Sequence, residues 1–131
     1  MITYALEPDL SVRGFAALLR SSGLAPRRPG DPEQLDRMLR AAQAIVTARA
    51  DGALVGVARS ITDLGLLPVL LGSVRRSGLA GQGIGRAPLA QTAQAAPDVQ
   101  TCLLLSAPAA VSFYEAAGYA RRDQAFIFHK R

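Results

Sequence analysis

A chain of 131 residues, half of them hydrophobic, is long enough to bury one core and too short for two, and its composition excludes wholesale disorder. Fifteen basic residues, all arginine except Lys130, face ten acids for a net charge of +5, which favours anionic partners without naming one. A lone cysteine, Cys102, and a lone histidine, His129, exclude an internal disulfide, a Cys-cluster or multi-His metal site and a His-based triad.

The first segment, Ile2 to Leu6, alternates in character and reads as a short strand ended by Pro8. It lacks the basic and apolar regions of a secretory signal, and no run approaches the roughly 18–20 apolar residues of a membrane span. With one cysteine in the chain, the expected setting is reduced and cytoplasmic. From about residue 10 to 22, Phe15, Leu18, Leu19 and Ser22 recur at helical spacing, and Gly23 is a natural stop. A loop with Pro26, Arg27, Arg28, Pro29 and Gly30 follows. Asp31-Pro32-Glu33-Gln34 is a helix start, with Asp31 as cap, Pro32 in the first turn and Gln34 able to reach back. Leu35, Met38, Leu39 and Ala42 then form an apolar stripe that reads as core packing.

Asp51-Gly52 separates the β-branched runs 44–50 and 53–60, the strongest short-range signal of a hairpin. Residues 66–74 read as a central strand, in which Pro68 removes a ladder donor and implies a bulge or a late strand entry. Gly78 to Gly85 is rich in glycine, and helix formers continue to Ala96, where Pro97-Asp98 ends the helix. Gln100 to Ser106 contains the apolar run Cys102-Leu103-Leu104-Leu105 of a buried strand. Pro108 opens a helix through Ala117, Gly118 closes it, and Tyr119 begins a last strand region ending in Phe126-Ile127-Phe128. His129, two residues from the last, reads as exposed. The total is six strands and four helices, with neither an internal repeat nor a domain linker.

Two segments carry chemistry. Gly81-Gln82-Gly83-Ile84-Gly85-Arg86 lies between a buried strand and a helix. Its backbone amides and the following helix dipole suit a phosphate cradle, although a plain strand-to-helix turn has the same composition. Arg86 stands where a third Rossmann glycine would fall, and the next strand ends in Leu105-Ser106 with no acid for a ribose, which argues against a dinucleotide site. The second segment is Ser106 to Tyr119, where Phe113-Tyr114 reads as a pair of core aromatics; Tyr114 has a second use as a proton donor beside a ligand.

Together these segments and the element order resemble the GNAT acetyltransferase superfamily. Gly81-Gln82-Gly83-Ile84-Gly85-Arg86 is similar to that family's Gln/Arg-x-x-Gly-x-Gly/Ala pyrophosphate loop, with Gly83 and Gly85 as the matching glycines. Ala110-Val111-Ser112-Phe113-Tyr114-Glu115-Ala116-Ala117-Gly118-Tyr119 is similar to its Ala-x-x-Phe-Tyr-Glu-Lys-x-Gly-Phe segment.

The resemblance implies a single α+β domain of three-layer type. Its mixed, mostly antiparallel sheet of about six strands would be flanked by about four helices, with the fourth and fifth strands splayed apart. It implies acetyl-CoA as co-substrate and no metal. The pantetheine arm would lie along Gly72, Ser73 and Val74, and the amides of Ala80, Gly81, Gln82, Gly83, Ile84, Gly85 and Arg86 would hold the pyrophosphate. Arg75 and Arg76 would meet CoA phosphates, and Ser106 and Phe113 would complete the cofactor side. Tyr114 would protonate the departing thiolate.

A general base is expected among the carboxylates, with Asp63 ahead of Glu7 and Glu115, or else solvent removes the proton. The other reading of Asp63 is a turn residue. The chain departs from the family pattern at Ala80, Ala107, Ala116 and Pro88, and Arg75-Arg76 stands where an apolar and then a polar or acidic residue is common. Ala80, Ala107 and the lack of an acid on the 66–74 strand motivate a second reading, a non-catalytic acyl-CoA-binding or regulatory module. A third is a basic domain for nucleic acid, against which stand scattered arginines and few aromatics. Arg20, Arg27, Arg28 and Asp63, beside the expected acceptor pocket, suit an amine carrying a carboxylate or phosphate. Phe126-Ile127-Phe128 is placed to pair with a second subunit in a homodimer.

Overall fold

The computed structural model describes residues 1–22, 31–61, 69–75, 90, 94, 103–104, 111–123, 126, 128 and 129. Strand β1 (Ile2–Leu6) leads into helix α1 (Val12–Ser22), then α2 (Pro32–Ala41), β2 (Ala44–Ala50), β3 (Ala53–Ile61), β4 (Val69–Arg75), β5 (Leu103–Leu104) and α3 (Val111–Ala116). The strands form one sheet in sequence order, β1-β2-β3-β4-β5, antiparallel except for the parallel pair β4–β5. The fold is therefore α+β with a mostly antiparallel sheet; the described residues carry five strands and three helices rather than the expected six and four. Ala90 and Gln94, in the stretch read as the remaining helix, are both helical and exposed.

Local signals explain the element ends. Asp31 accepts a hydrogen bond from the Glu33 amide at 3.1 Å and caps α2, with Pro32 in the first turn as its fixed φ favours. Ser11 does the same for α1, its Oγ accepting from the Gly14 amide at 3.1 Å. Asp51 and Gly52 both take positive φ, 50° and 89°, the pair of left-handed residues that a type I′ turn between twisted strands requires. Strand β4 begins at Val69, directly after Pro68, so the proline costs the described ladder no donor.

Two faces of β3 position everything that follows. Val57 belongs to the core formed by Leu10, Phe15, Leu18 and Leu19 of the α1 side, Leu35 and Leu39 of α2, and Ile45. The Arg59 guanidinium, also on that face and only 6% exposed, lies 5.7 Å from the Phe15 ring centre and donates to the Met38 carbonyl at 3.3 Å. Ala58 points the other way, because successive residues of a strand alternate, and packs against Phe113 and Tyr114 of α3. The sheet is thus covered by α1 and α2 on one face and by α3 on the other. Arg40 of α2 ties down the β1–α1 connection, donating to the carbonyls of Pro8 (3.0 Å) and Leu10.

The β3–β4 register shifts between Arg59 and Ser60. Arg59 faces Gly72 and Ser60 faces Leu70, so Leu71 is an extra residue on β4. A bulge of this kind bends the strand and increases its twist. It sits one residue beyond Val69–Leu70, the stretch over which β4 pairs with Leu103–Leu104 of β5 among the described residues.

The last expected strand needs correction. Phe126 and Phe128 lie outside any strand and are 92% and 90% exposed. The run Phe126-Ile127-Phe128 has high β-propensity, but propensity alone does not make a strand. His129 is exposed, as expected.

Candidate active site

The chain turns sharply after α3, and the turn determines what surrounds Tyr114. Gly118 has φ of 88°, a left-handed conformation that glycine adopts without a Cβ clash. Its amide donates to the Glu115 carbonyl at 3.0 Å, and the Tyr119 amide donates to the Tyr114 carbonyl at 3.1 Å. This pair of bonds is the Schellman arrangement, in which the residue after the left-handed position folds back over the last helical turn. Tyr119 therefore comes to lie on Tyr114, ring centres 6.2 Å apart and planes inclined by 30°. Tyr114 also meets Phe113 edge to face, at 5.1 Å and 80°. Such aromatic contacts contribute about 0.5–1.5 kcal/mol each beyond area burial.

Tyr114 is half-buried, and burial pushes its phenol above the ordinary tyrosine value, with the neighbouring Tyr119 adding to the shift. The hydroxyl is thereby held in its protonated, donating form across the physiological range. Ala58, on which Tyr114 and Phe113 rest, is the register partner of Ser73 on β4. Directly opposed residues in an antiparallel pair have Cα atoms about 4.5–5.5 Å apart. The α3 aromatics and the β4 backbone from Gly72 to Val74 are consequently brought to one place, although about 40 residues separate them in sequence. Of the residues read from sequence as a site, Ser73, Val74 and Arg75 lie on β4, and Phe113 and Tyr114 on α3. Asp63, Ala80, Gly81, Gln82, Gly83, Ile84, Gly85, Arg86 and Ser106 lie outside the described residues.

The structure bears on the two lesser carboxylates. Glu7 is gripped by Arg49, whose Nε and Nη2 donate to Oε2 and Oε1 at 2.8 Å each, and Thr47 Oγ1 donates to Oε2 as well. These bonds, the Arg49 fork foremost, hold the Glu7 carboxyl below the ordinary glutamate range, against the opposing effect of burial. A carboxylate so stabilised is a poor proton acceptor, and it lies on the β1–β2 side of the sheet, away from α3. Glu115 is exposed and pairs with Arg121 at 3.3 Å.

The Glu7–Arg49 fork has a consequence for stability. Because the folded carboxyl titrates below its unfolded value of about 4.3, its contribution is complete above that pH and is lost as pH falls through the lowered folded value. The melting-temperature gap between the natural chain and Glu7→Gln should stay constant from about pH 7 to about pH 5 and close below about pH 4. The two side chains keep 28% and 33% of their surface exposed, so solvent screening holds the gap to a few degrees. A gap of undiminished size in acid would show that the charge of Glu7 contributes nothing.

A mostly antiparallel sheet with helices on both faces, a parallel strand beside a bulged β4 and an aromatic helix seated on Ala58 of β3 is the architecture expected of an acetyltransferase of this kind. A family model described as an acetyltransferase (GNAT) domain matches residues 29–130, and the chain belongs to that family. Solved structures agree in fold. A GNAT-family acetyltransferase from Streptococcus pneumoniae superposes with a TM-score of 0.82 at 18% identity, covering 100% of this chain and 99% of the other. A ribosomal-protein-alanine N-acetyltransferase from Brucella melitensis biovar Abortus gives 0.73 at 26% identity, with both chains fully covered. An aminoglycoside N-acetyltransferase in complex with CoA gives 0.76 at 16% identity, covering 100% and 95%. No curated protein matches. Among the described residues no helix is long and apolar enough to cross a membrane.

Proposed function

We propose that this protein transfers an acetyl group from acetyl-CoA to a primary amine. The observation that carries the reading is the seat of Tyr114 on Ala58, one register step from Ser73, because it sets a protonated phenol beside the strand edge that would hold the thioester end of the cofactor. β4 beyond its bulge supplies backbone groups for the pantetheine amides, with Ser73, Val74 and Arg75 along it. The amides of Ala80, Gly81, Gln82, Gly83, Ile84, Gly85 and Arg86 hold the pyrophosphate, and Ser106 and Phe113 flank the arm. Bound acetyl-CoA supplies an activated acyl carbon.

The chain's own residues then orient that carbon and manage two protons. The incoming amine must be neutral to attack, and Asp63 accepts its proton, directly or through water. As the carbon–sulfur bond breaks, the Tyr114 hydroxyl donates a proton to the sulfur, whose basicity is comparable to that of a cysteine thiolate at about 8.5. The carbon–nitrogen bond formed in the attack leaves the nitrogen cationic, and its second proton passes to solvent as the amide forms, while the Tyr114 phenolate recovers a proton from solvent; one proton is released overall. The fixed Glu7 is excluded from the base role by its pairing with Arg49.

Arginines at 20, 27 and 28 suit an acceptor that carries a carboxylate or phosphate. The test is release of free CoA, followed with a thiol reagent, against a panel of amines. The panel spans acidic amino compounds, an alanine-terminated peptide, an aminoglycoside and spermidine. Turnover with an acidic amine above that with spermidine is the expected result. Binding of acetyl-CoA with no turnover on any amine would replace the enzyme by a non-catalytic acyl-CoA-binding module. A cytoplasmic location is the accompanying expectation, tested by fractionation. The homodimer expected from Phe126-Ile127-Phe128 as an edge strand loses that support, since Phe126 and Phe128 lie outside any strand, and light scattering tests it.

A further inference from the structure

We propose that Tyr119 is a positioning residue for Tyr114, its ring acting as a fixed wall that holds the phenol in the orientation needed to reach the leaving group. The inference rests on the reading of Tyr114 as the proton donor. Tyr119 itself is 44% exposed, so over half of its surface is covered. Part of that cover is specific: its ring stacks on Tyr114 at 6.2 Å, and Tyr114 in turn meets Phe113 edge to face at 5.1 Å and packs against Ala58.

A phenol has two torsions to fix. The α3 backbone sets where the side chain starts, and three surrounding groups set where the ring lies. Phe113 is held by α3 and Ala58 by β3; Tyr119, beyond the end of the helix, is held by the left-handed Gly118 with its two reverse hydrogen bonds. The wall therefore stands in place without help from the ligand, and Tyr114 enters the reaction already oriented. A methyl-sized side chain at 119 would leave the ring free on its solvent side; a phenyl ring would preserve the wall.

The experiment is a kinetic cycle on the intact protein with Tyr119→Ala, Tyr119→Phe, Tyr114→Phe and the double variant Tyr114→Phe/Tyr119→Ala, with thermal melts to confirm folding. Tyr119→Ala should lower kcat about tenfold while KM for acetyl-CoA stays within about twofold, since a misaimed donor affects the transition state more than binding. Tyr119→Phe should restore kcat, and Tyr119→Ala should cost nothing further once Tyr114 is Phe, because both act through one hydroxyl. Should Tyr119→Ala fail to fold, Tyr119→Leu keeps apolar cover over the helix end without a planar wall and serves in its place. If Tyr114→Phe lowers kcat and the 119 variants do not, or if the two losses multiply independently, the positioning role is overturned while the donor stands. If Tyr114→Phe itself has no effect, the donor reading falls and the role of Tyr119 falls with it.

Discussion

Replacing Tyr114 with Phe should lower turnover on the order of 10²-fold and leave acetyl-CoA affinity within a few-fold. The substitution removes one oxygen and keeps the ring, so the edge-to-face contact with Phe113, the stack with Tyr119 and the seat on Ala58 all persist. What is lost is the proton for the departing sulfur, which must then come from water at random orientation. Steady-state kinetics with a thiol reagent reads the first quantity and titration calorimetry the second. The two outcomes separate cleanly: loss of affinity with unchanged kcat would make Tyr114 a binding residue, and no change in either would return it to an aromatic packing role.

Acetyl-CoA should raise the melting temperature by about 8–12 °C at a concentration near 100 times its dissociation constant. A ligand bound by the folded state alone stabilises it by about 2.7 kcal/mol at that excess, and a domain of this length converts the gain at about 3–4.5 °C per kcal/mol. In the proposed function the amides of Gly81 to Gly85 make the pyrophosphate contacts, and Gly83→Val tests that proposal. A branched side chain there would intrude where backbone approaches phosphate, so the variant should melt near the natural chain yet lose most of the shift. Arg75→Ala should reduce the shift less, having removed a single ionic contact. No shift with acetyl-CoA, CoA or a longer acyl-CoA at millimolar ligand and low salt would remove acyl-CoA from the account altogether.

Where the sequence read correctly, the signal was local. The cap at Asp31, the proline after it and the Leu35/Leu39 stripe all lie within one helix, and the structure returns α2 with those features. Asp51-Gly52 is legible because two consecutive left-handed residues leave few alternatives to a tight hairpin. The features that escaped depend on partners far along the chain. Arg49 and Glu7 meet across 42 positions, and nothing in either neighbourhood marks them as a pair. The Leu71 bulge is a property of two strands in register, and the sequence signalled it only through the awkward Pro68.

Tyr119 illustrates a middle case. Gly118 was legible as a helix end, and the left-handed residue it implies is the reason the next ring folds back on Tyr114. Phe126 and Phe128 show the opposite failure, a β-prone apolar run whose described residues form no strand. Of the site, Tyr114 on α3 and the stretch from Gly72 to Arg75 on β4 were readable through the resemblance to a family. The juxtaposition of Ala58 with Tyr114 was not, because Ala58 carries no chemistry of its own.

The extra residue at Leu71 makes β4 a strand in which counting matters more than identity. Ahead of it Leu70 is matched to Ser60, and beyond it Gly72 to Arg59, so the alternation changes phase once along the strand. Exchange of one apolar residue for another leaves that phase intact. Deletion or insertion of a single residue between Val69 and Ser73 would invert it, turning over every following position to the opposite face. This stretch is therefore expected to accept replacement of one apolar residue by another and to resist any change of length.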